Sequence, residues 1–137
     1  MATFISNSPA ETQRIGREFA CKIEKGENLA LKGELGSGKT QFVKGIVAGL
    51  GSDAEVTSPT FALIHEYTGS RLPVYHLDFF RIEDQKSAER LGLDEYFFGD
   101  GACLIEWADK FPELIPQNAR WIVFETKSET ERAITIQ

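Results

Sequence analysis

The segment Gly33-Glu34-Leu35-Gly36-Ser37-Gly38-Lys39-Thr40 constrains this chain more than any other. It matches G-x-x-x-x-G-K-[ST] at every fixed position, and each part has a physical reason. Glycines let the main chain wrap tightly through conformations that side chains forbid. The wrapped backbone then aims several N–H groups at one cluster of phosphate oxygens. A helix starting at the end of the loop adds its positive end. Lys39 offers a mobile charge to β- and γ-phosphates, and Thr40 offers a hydroxyl to Mg²⁺. Such a loop must follow a strand and open a helix. Asn28 to Lys32 reads as a short strand, and Phe42, Val43, Ile46, Val47 and Leu50 form one helical face with Gly51 just past its end. Gln41 stands where a dinucleotide fingerprint would place its third glycine, so that reading is not supported. The expected phosphate-binding residues are Gly33, Leu35, Gly36, Ser37, Gly38, Lys39, Thr40 and Gln41.

The flanking sequence supplies the fold class. Thr3 to Ser6 looks like a short strand. Ser8-Pro9-Ala10-Glu11 is a helix start, with Ser8 as cap, Pro9 in the first turn and Glu11 completing a capping box. Ile15, Phe19 and Ile23 recur every four residues, which predicts a helix ending near Gly26. Phe61–Tyr67 and Val74–Phe80 read as two strands of an antiparallel hairpin. Residues 84–97 read as helical, with Gly92 as a possible break. Cys103-Leu104-Ile105 is a compact apolar strand. Trp121–Phe124 and Ala133–Ile136 form a final hairpin. Early strand–helix alternation and later hairpins predict an α/β domain of P-loop NTPase type, with a mixed sheet flanked by helices over residues 1–137.

Composition narrows the functional classes. The 137 residues suit one domain. Fifteen basic against 21 acidic residues give a net charge of −6, which argues against autonomous, charge-driven binding to nucleic acid. Action beside RNA would need a partner to supply the positive surface. Cys21 and Cys103 make no disulfide framework, and with His65 and His76 they match no common zinc spacing. No apolar run approaches the ~20 residues needed to span a bilayer. The N-terminus has no basic segment followed by an apolar stretch, so a cytoplasmic protein without membrane contact is expected.

A magnesium nucleotide site also needs a carboxylate at a strand tip. Glu106 follows the cleaner apolar strand, and Asp78 follows Val74-Tyr75-His76-Leu77. Either could hold Mg²⁺, directly or through water, or orient an attacking water. Ser58 and Thr60 lie in Thr57-Ser58-Pro59-Thr60, where a nucleotide switch often places a hydroxyl near the γ-phosphate. A plain Ser-Pro turn explains that segment nearly as well. Arg81 reads as a surface residue or a charge stabiliser. Trp107 reads as a nucleotide contact or core packing. His65 and His76 read as structural or hydrogen-bonding residues.

Taken in order, these residues resemble a known family. The loop is followed by Ser58-Pro59-Thr60-Phe61, His65-Glu66-Tyr67 and Tyr75-His76-Leu77-Asp78-Phe79-Phe80-Arg81, then by Leu93-Asp94-Glu95-Tyr96-Phe97 and Leu104-Ile105-Glu106-Trp107. The chain resembles the TsaE (YjeE) family, small bacterial ATPases required for threonylcarbamoyladenosine formation in tRNA. The resemblance implies ATP and Mg²⁺ at the loop, with Thr40 and Glu106 on the metal side. It implies Lys39, Asp78 and Glu106 as catalytic residues, Asp78 being close to the γ-phosphate or metal. Ser58 and Thr60 would be switch residues, and the helix start from Pro9 to Thr12 would lie near the adenine. It further implies TsaD- and TsaB-type partners, with tRNA reached only through that complex. Phe80 departs from the family, where tyrosine is frequent. A small-molecule kinase and a non-catalytic ATP-dependent binding module are the alternatives the loop leaves open.

Overall fold

The computed structural model describes residues 1–57 and 63–137. Its first half runs β1 (Ala2–Ser6), α1 (Pro9–Ala20), β2 (Asn28–Lys32), α2 (Lys39–Gly49), β3 (Ile64–Tyr67) and β4 (Val74–Asp78). Two short helices follow, α3 (Gln85–Glu89) and α4 (Asp94–Phe97), and then β5 (Ala102–Glu106). Two 3₁₀ turns, Ala108–Lys110 and Pro112–Leu114, lead to β6 (Arg120–Thr126) and β7 (Arg132–Ile136).

The strands form one seven-stranded sheet in the order β1-β7-β6-β2-β5-β4-β3. β2 runs parallel to β5 and β6, and β4 parallel to β5. The outer pairs β1–β7, β6–β7 and β3–β4 are antiparallel. This is the mixed α/β sheet that the strand–helix alternation predicts.

Period-two alternation splits the central strands between two cores. Leu29, Leu31, Val74, Ala102 and Leu104 join the layer holding α1 and α2. Ala30, Leu77, Cys103 and Ile105 join the opposite layer, with Phe79, Ala88, Leu93, Phe97 and Phe111. Parallel central strands covered on both faces are apolar throughout, as β5 is up to its last residue.

Helices α1 and α2 meet backbone to backbone. A Cβ on Gly45 would lie 2.0 Å from the Gln13 carbonyl oxygen, and one on Gly16 would lie 2.5 Å from that of Phe42. The approach fixes where α1 lies beneath the glycine loop. At the start of α1 the Ser8 hydroxyl accepts the Glu11 N–H at 3.0 Å.

The bounds of α1, β4 and β3 depart from the sequence reading, and β5, β6 and β7 extend beyond it. Helix α1 stops at Ala20, not near Gly26. The N–H groups of Lys22 and Ile23 turn to Phe19 and Ala20 in i→i−3 bonds, and Arg71 donates to the carbonyls of Ala20 and Ile23 at 3.1 Å each. Ile23 is nevertheless fully buried, so its apolar spacing reflects the core and not a longer helix. Strand β4 ends at Asp78, not Phe80, because the Asp78 carboxylate takes the Phe80 N–H at 2.8 Å and turns the chain. Strand β3 starts at Ile64; Phe61 lies outside the described residues, with Ser58 and Thr60. Gly92, at φ 68°, divides α3 from α4 as expected.

The substitution Gly45→Ala should therefore destabilise the fold by ~1–3 kcal/mol, the usual range for overpacking. Urea unfolding would show a lower midpoint at unchanged slope. An unchanged midpoint would mean that α1 and α2 can move apart without cost.

Candidate functional site

The central parallel strands β2, β5 and β4 present their C-terminal ends on one side of the sheet, where open α/β sheets bind ligands. From β2 the chain enters the glycine loop and then α2. Gly36 and Gly38 take φ of 78° and 104°, conformations that only glycine enters readily. Gly33 serves a different need, since a Cβ there would sit 2.6 Å from Ser37 Oγ and 2.9 Å from Phe124. Gly38 caps α2 without any side-chain hydrogen bond. Free first-turn N–H groups are what an anion needs.

Lys39 is almost fully buried. Its Nζ donates to the carbonyls of Gly33 and Glu34, the second at 2.9 Å, and lies 4.2 Å from the centre of the Trp107 ring. Burial lowers its pKa, while the carboxylates of Glu106, Asp109, Asp78 and Glu34 pull it back up. The ammonium thus folds onto its own loop.

Asp78 and Glu106 are the last residues of β4 and β5 and are direct partners across the parallel register. Their positions share the face of Val74 and Leu104, which turns both toward the α2 layer. Both are buried. The Thr40 hydroxyl at the start of α2 reaches both Glu106 carboxylate oxygens, at 3.2 and 3.3 Å. Burial raises the Asp78 pKa, the Phe80 N–H opposes that, and the nearby Glu106 charge adds to it.

These groups border a cavity of about 530 Å³. Leu35, Gly36, Gly38, Lys39, Thr40 and Gln41 line it from the loop and α2. Asp78, Phe80, Arg81, Glu106 and Trp107 line it from the strand ends, and Pro9 closes it from α1. Gln41 also accepts the Gln13 amide at 2.7 Å, tying α2 to α1. Gly33 and Ser37 shape the loop from behind; Ser37 Oγ is buried with no hydrogen-bond partner among the described residues. Thr12 is buried beneath Gly38, where its hydroxyl meets Ser6 at 2.7 Å and its methyl lies 3.6 Å from where a Gly38 Cβ would be. It braces the loop and does not border the cavity. Ser58 and Thr60 lie outside the described residues.

Trp107 is the non-glycine residue with positive φ among those described, at φ 59° and ψ 34°. This uncommon conformation swings the chain away after Glu106 and lays the ring between Lys39 and Phe80, whose ring centre is 4.8 Å away. The half-buried ring packs against the core of Phe79 and Phe111 and also lines the cavity.

Two contributors were not legible as site residues. Arg132, at the start of β7, donates through Nε and Nη2 to the Gly36 carbonyl at 3.3 and 3.2 Å. No motif surrounds it, and only the hairpin geometry brings it to the loop tip. His76 is fully buried and bonds Glu106 through Nε2 at 2.5 Å. Its place two residues before Asp78 was the available signal, because period two puts both on one face.

The donor set suits a hard cation. It consists of a hydroxyl and two carboxylates, all oxygen. Among the described residues no group of three His, Cys, Asp or Glu side chains gathers into a protein-only metal cage. Few protein ligands, completed by phosphate and water, is the arrangement Mg²⁺ favours.

Comparison with known proteins decides the family. The model for "Threonylcarbamoyl adenosine biosynthesis protein TsaE" matches residues 6–134. The chain belongs to the TsaE family. It is 47% identical to the TsaE protein of Bacillus subtilis over 128 residues, covering 93% of this chain and 80% of the relative. It is 36% identical to that of Treponema pallidum over 132 residues, covering 96% and 97%. The crystal structure of Bacillus subtilis YdiB superposes with a TM-score of 0.85 at 39% identity, covering 98% of this chain and 83% of that one. The mixed sheet is therefore shared with a solved structure, as the TsaE resemblance implies. No helix among the described residues is long and apolar enough to cross a membrane.

The buried Asp78 yields a stability test. Its folded pKa lies above the unfolded value of about 3.9, so the ionised carboxylate disfavours folding. That penalty is absent at low pH and complete once pH exceeds the folded pKa. Asp78→Asn keeps an oxygen for the Phe80 N–H and should raise the melting temperature at pH 7. The gain should shrink as pH falls toward 4. A lower melting temperature at pH 7 would contradict the assignment.

Proposed function

We propose that this TsaE-family chain, a participant in threonylcarbamoyladenosine biosynthesis, binds Mg-ATP at the Gly33–Thr40 loop and hydrolyses it to drive or reset a complex of TsaD- and TsaB-type proteins. The observation that carries this reading is the convergence of Thr40 on Glu106, with Asp78 beside it, at the entrance of an uncapped helix. A glycine-rich structural turn has no need of two buried carboxylates at its mouth.

The residues have distinct parts in this reading. The loop N–H groups and the start of α2 would hold the phosphates. Lys39 would leave the carbonyls of Gly33 and Glu34 and extend to the β- and γ-phosphates, a short move for a side chain already at the loop. Thr40 and Glu106 would hold Mg²⁺, which when bound neutralises charge on the phosphate oxygens. Asp78, whose carboxylate burial makes more basic than an ordinary aspartate, would orient the attacking water. Trp107, Phe80 and Pro9 would restrict water at the cavity mouth. The net charge of −6 agrees with tRNA being held by partners.

Lys39→Ala should cut turnover by ~10²–10³-fold, the range for losing one group aimed at transition-state charge. The measurement is release of γ-phosphate with and without purified TsaD- and TsaB-type proteins. Label released as free phosphate supports hydrolysis, and label in an organic acceptor supports a kinase. If Asp78→Ala and Glu106→Ala both leave tRNA modification intact, the chain is a binding module and not an ATPase.

A further inference from the structure

Behind Glu106 the structure contains a polar chain that the reading above does not use. His76 is 0% exposed, and both of its ring nitrogens have partners. Nε2 meets Glu106 Oε2 at 2.5 Å, and Nδ1 meets the Tyr67 hydroxyl at 3.0 Å. That hydroxyl also donates to the Thr57 carbonyl at 3.3 Å and lies 3.4 Å from His65 Nδ1. The series runs from the end of β3, through β4, to the end of β5 and on to α2 at Thr40.

We propose that His76, backed by Tyr67, is the positioning residue that holds the Glu106 carboxylate against Thr40 in the orientation a magnesium ion requires. The inference rests on the Mg-nucleotide reading above and adds a role to residues that never meet the ligand. A glutamate side chain has three rotatable bonds, and one hydroxyl contact leaves the carboxylate free to swing. A second bond, from a ring fixed between strands, removes that freedom. An ionised carboxylate only accepts hydrogen bonds, so the His76 proton sits on Nε2. In the neutral ring Nδ1 is then an acceptor, and the single Tyr67 hydroxyl hydrogen is shared between it at 3.0 Å and the Thr57 carbonyl at 3.3 Å. Burial pushes the Tyr67 pKa up to about 12, which keeps the phenol protonated and able to donate. The shorter of these two contacts, to His76, favours the tautomer that points a proton at Glu106, the usual way an outer partner orients a metal ligand.

Core packing alone does not account for this arrangement. Leucine or phenylalanine would fill the position without a buried polar network to satisfy. Both nitrogens are instead used, and one partner is the carboxylate at the cavity wall.

The test uses the full chain and a methylanthraniloyl-labelled ADP at fixed concentration, titrated with Mg²⁺ from an EDTA-treated start. The signal is nucleotide fluorescence, which is independent of turnover. In His76→Asn the amide falls where Nδ1 was, so the Tyr67 contact is kept and the Glu106 bond lost. In His76→Gln the amide reaches the Nε2 position and the Glu106 bond is kept. His76→Asn should raise the half-saturating Mg²⁺ concentration ~10–100-fold, the span for losing an outer-shell partner. His76→Gln should stay within about threefold of the unaltered chain, and metal-free nucleotide affinity should change less than about twofold in both. Tyr67→Phe, which keeps the ring, should raise half-saturation at least about threefold. Should His76→Asn fail to fold, Tyr67→Phe decides, and an unchanged value overturns the proposal. The proposal also fails if a folded His76→Asn responds to Mg²⁺ like the unaltered chain, or if His76→Gln loses as much as His76→Asn. No magnesium response in the unaltered chain would remove the nucleotide reading itself, and this inference with it.

Discussion

The parallel register between β4 and β5 is the constraint on which the rest depends. It sets Asp78 opposite Glu106 at adjacent strand ends. A shift of one residue would flip every side chain of a strand to the other face. A slip of β4 would point His76 and Asp78 into the layer of Cys103 and Ile105, away from α2, and would leave Glu106 without them. The register is itself held by apolar alternation, because Leu77, Cys103 and Ile105 belong to one core and Val74, Ala102 and Leu104 to the other. Hydrophobic burial, which is non-directional, thereby places charged groups with directional accuracy.

The second support is the close crossing of α1 and α2. Gly16 and Gly45 let the two backbones touch, and Thr12 then sits beneath Gly38. The loop is braced from below by α1, at its tip by Arg132, and from within by Lys39. A site held by several rigid elements needs little reorganisation when charge arrives, which is the physical basis of electrostatic preorganisation. Its cost is visible in the same residues. Asp78 and Lys39 are both desolvated against their charged forms, and Trp107 adopts an uncommon backbone conformation. Strain and buried charge of this kind concentrate where binding energy can offset them.

The chain belongs to the TsaE family and shares its fold with YdiB, and the central strands, loop and strand-end carboxylates all lie within the matched span. The net charge of −6 argues against autonomous, charge-driven binding to nucleic acid.

The sequence by itself determined the glycine loop, the strands and helices around it, the sheet class and the two carboxylates at strand tips. Each of these is a local pattern: turn chemistry in Gly33–Thr40, a capping signal at Ser8, alternation in β5. It also named His76, but only as a structural or hydrogen-bonding residue. The tertiary structure decided the rest. It ended α1 at Ala20, where Arg71 from a distant turn captures the carbonyls that a longer helix would have used. It set Thr12 beneath Gly38 against Ser6, and it brought Arg132 from the last strand to Gly36. It joined Tyr67, His76, Glu106 and Thr40 into one chain of contacts. Those partners are tens of residues apart, and contacts across strands leave no periodic trace along the chain. Local chemistry is written in spacing, whereas the pairing of distant polar groups exists only once the sheet has closed.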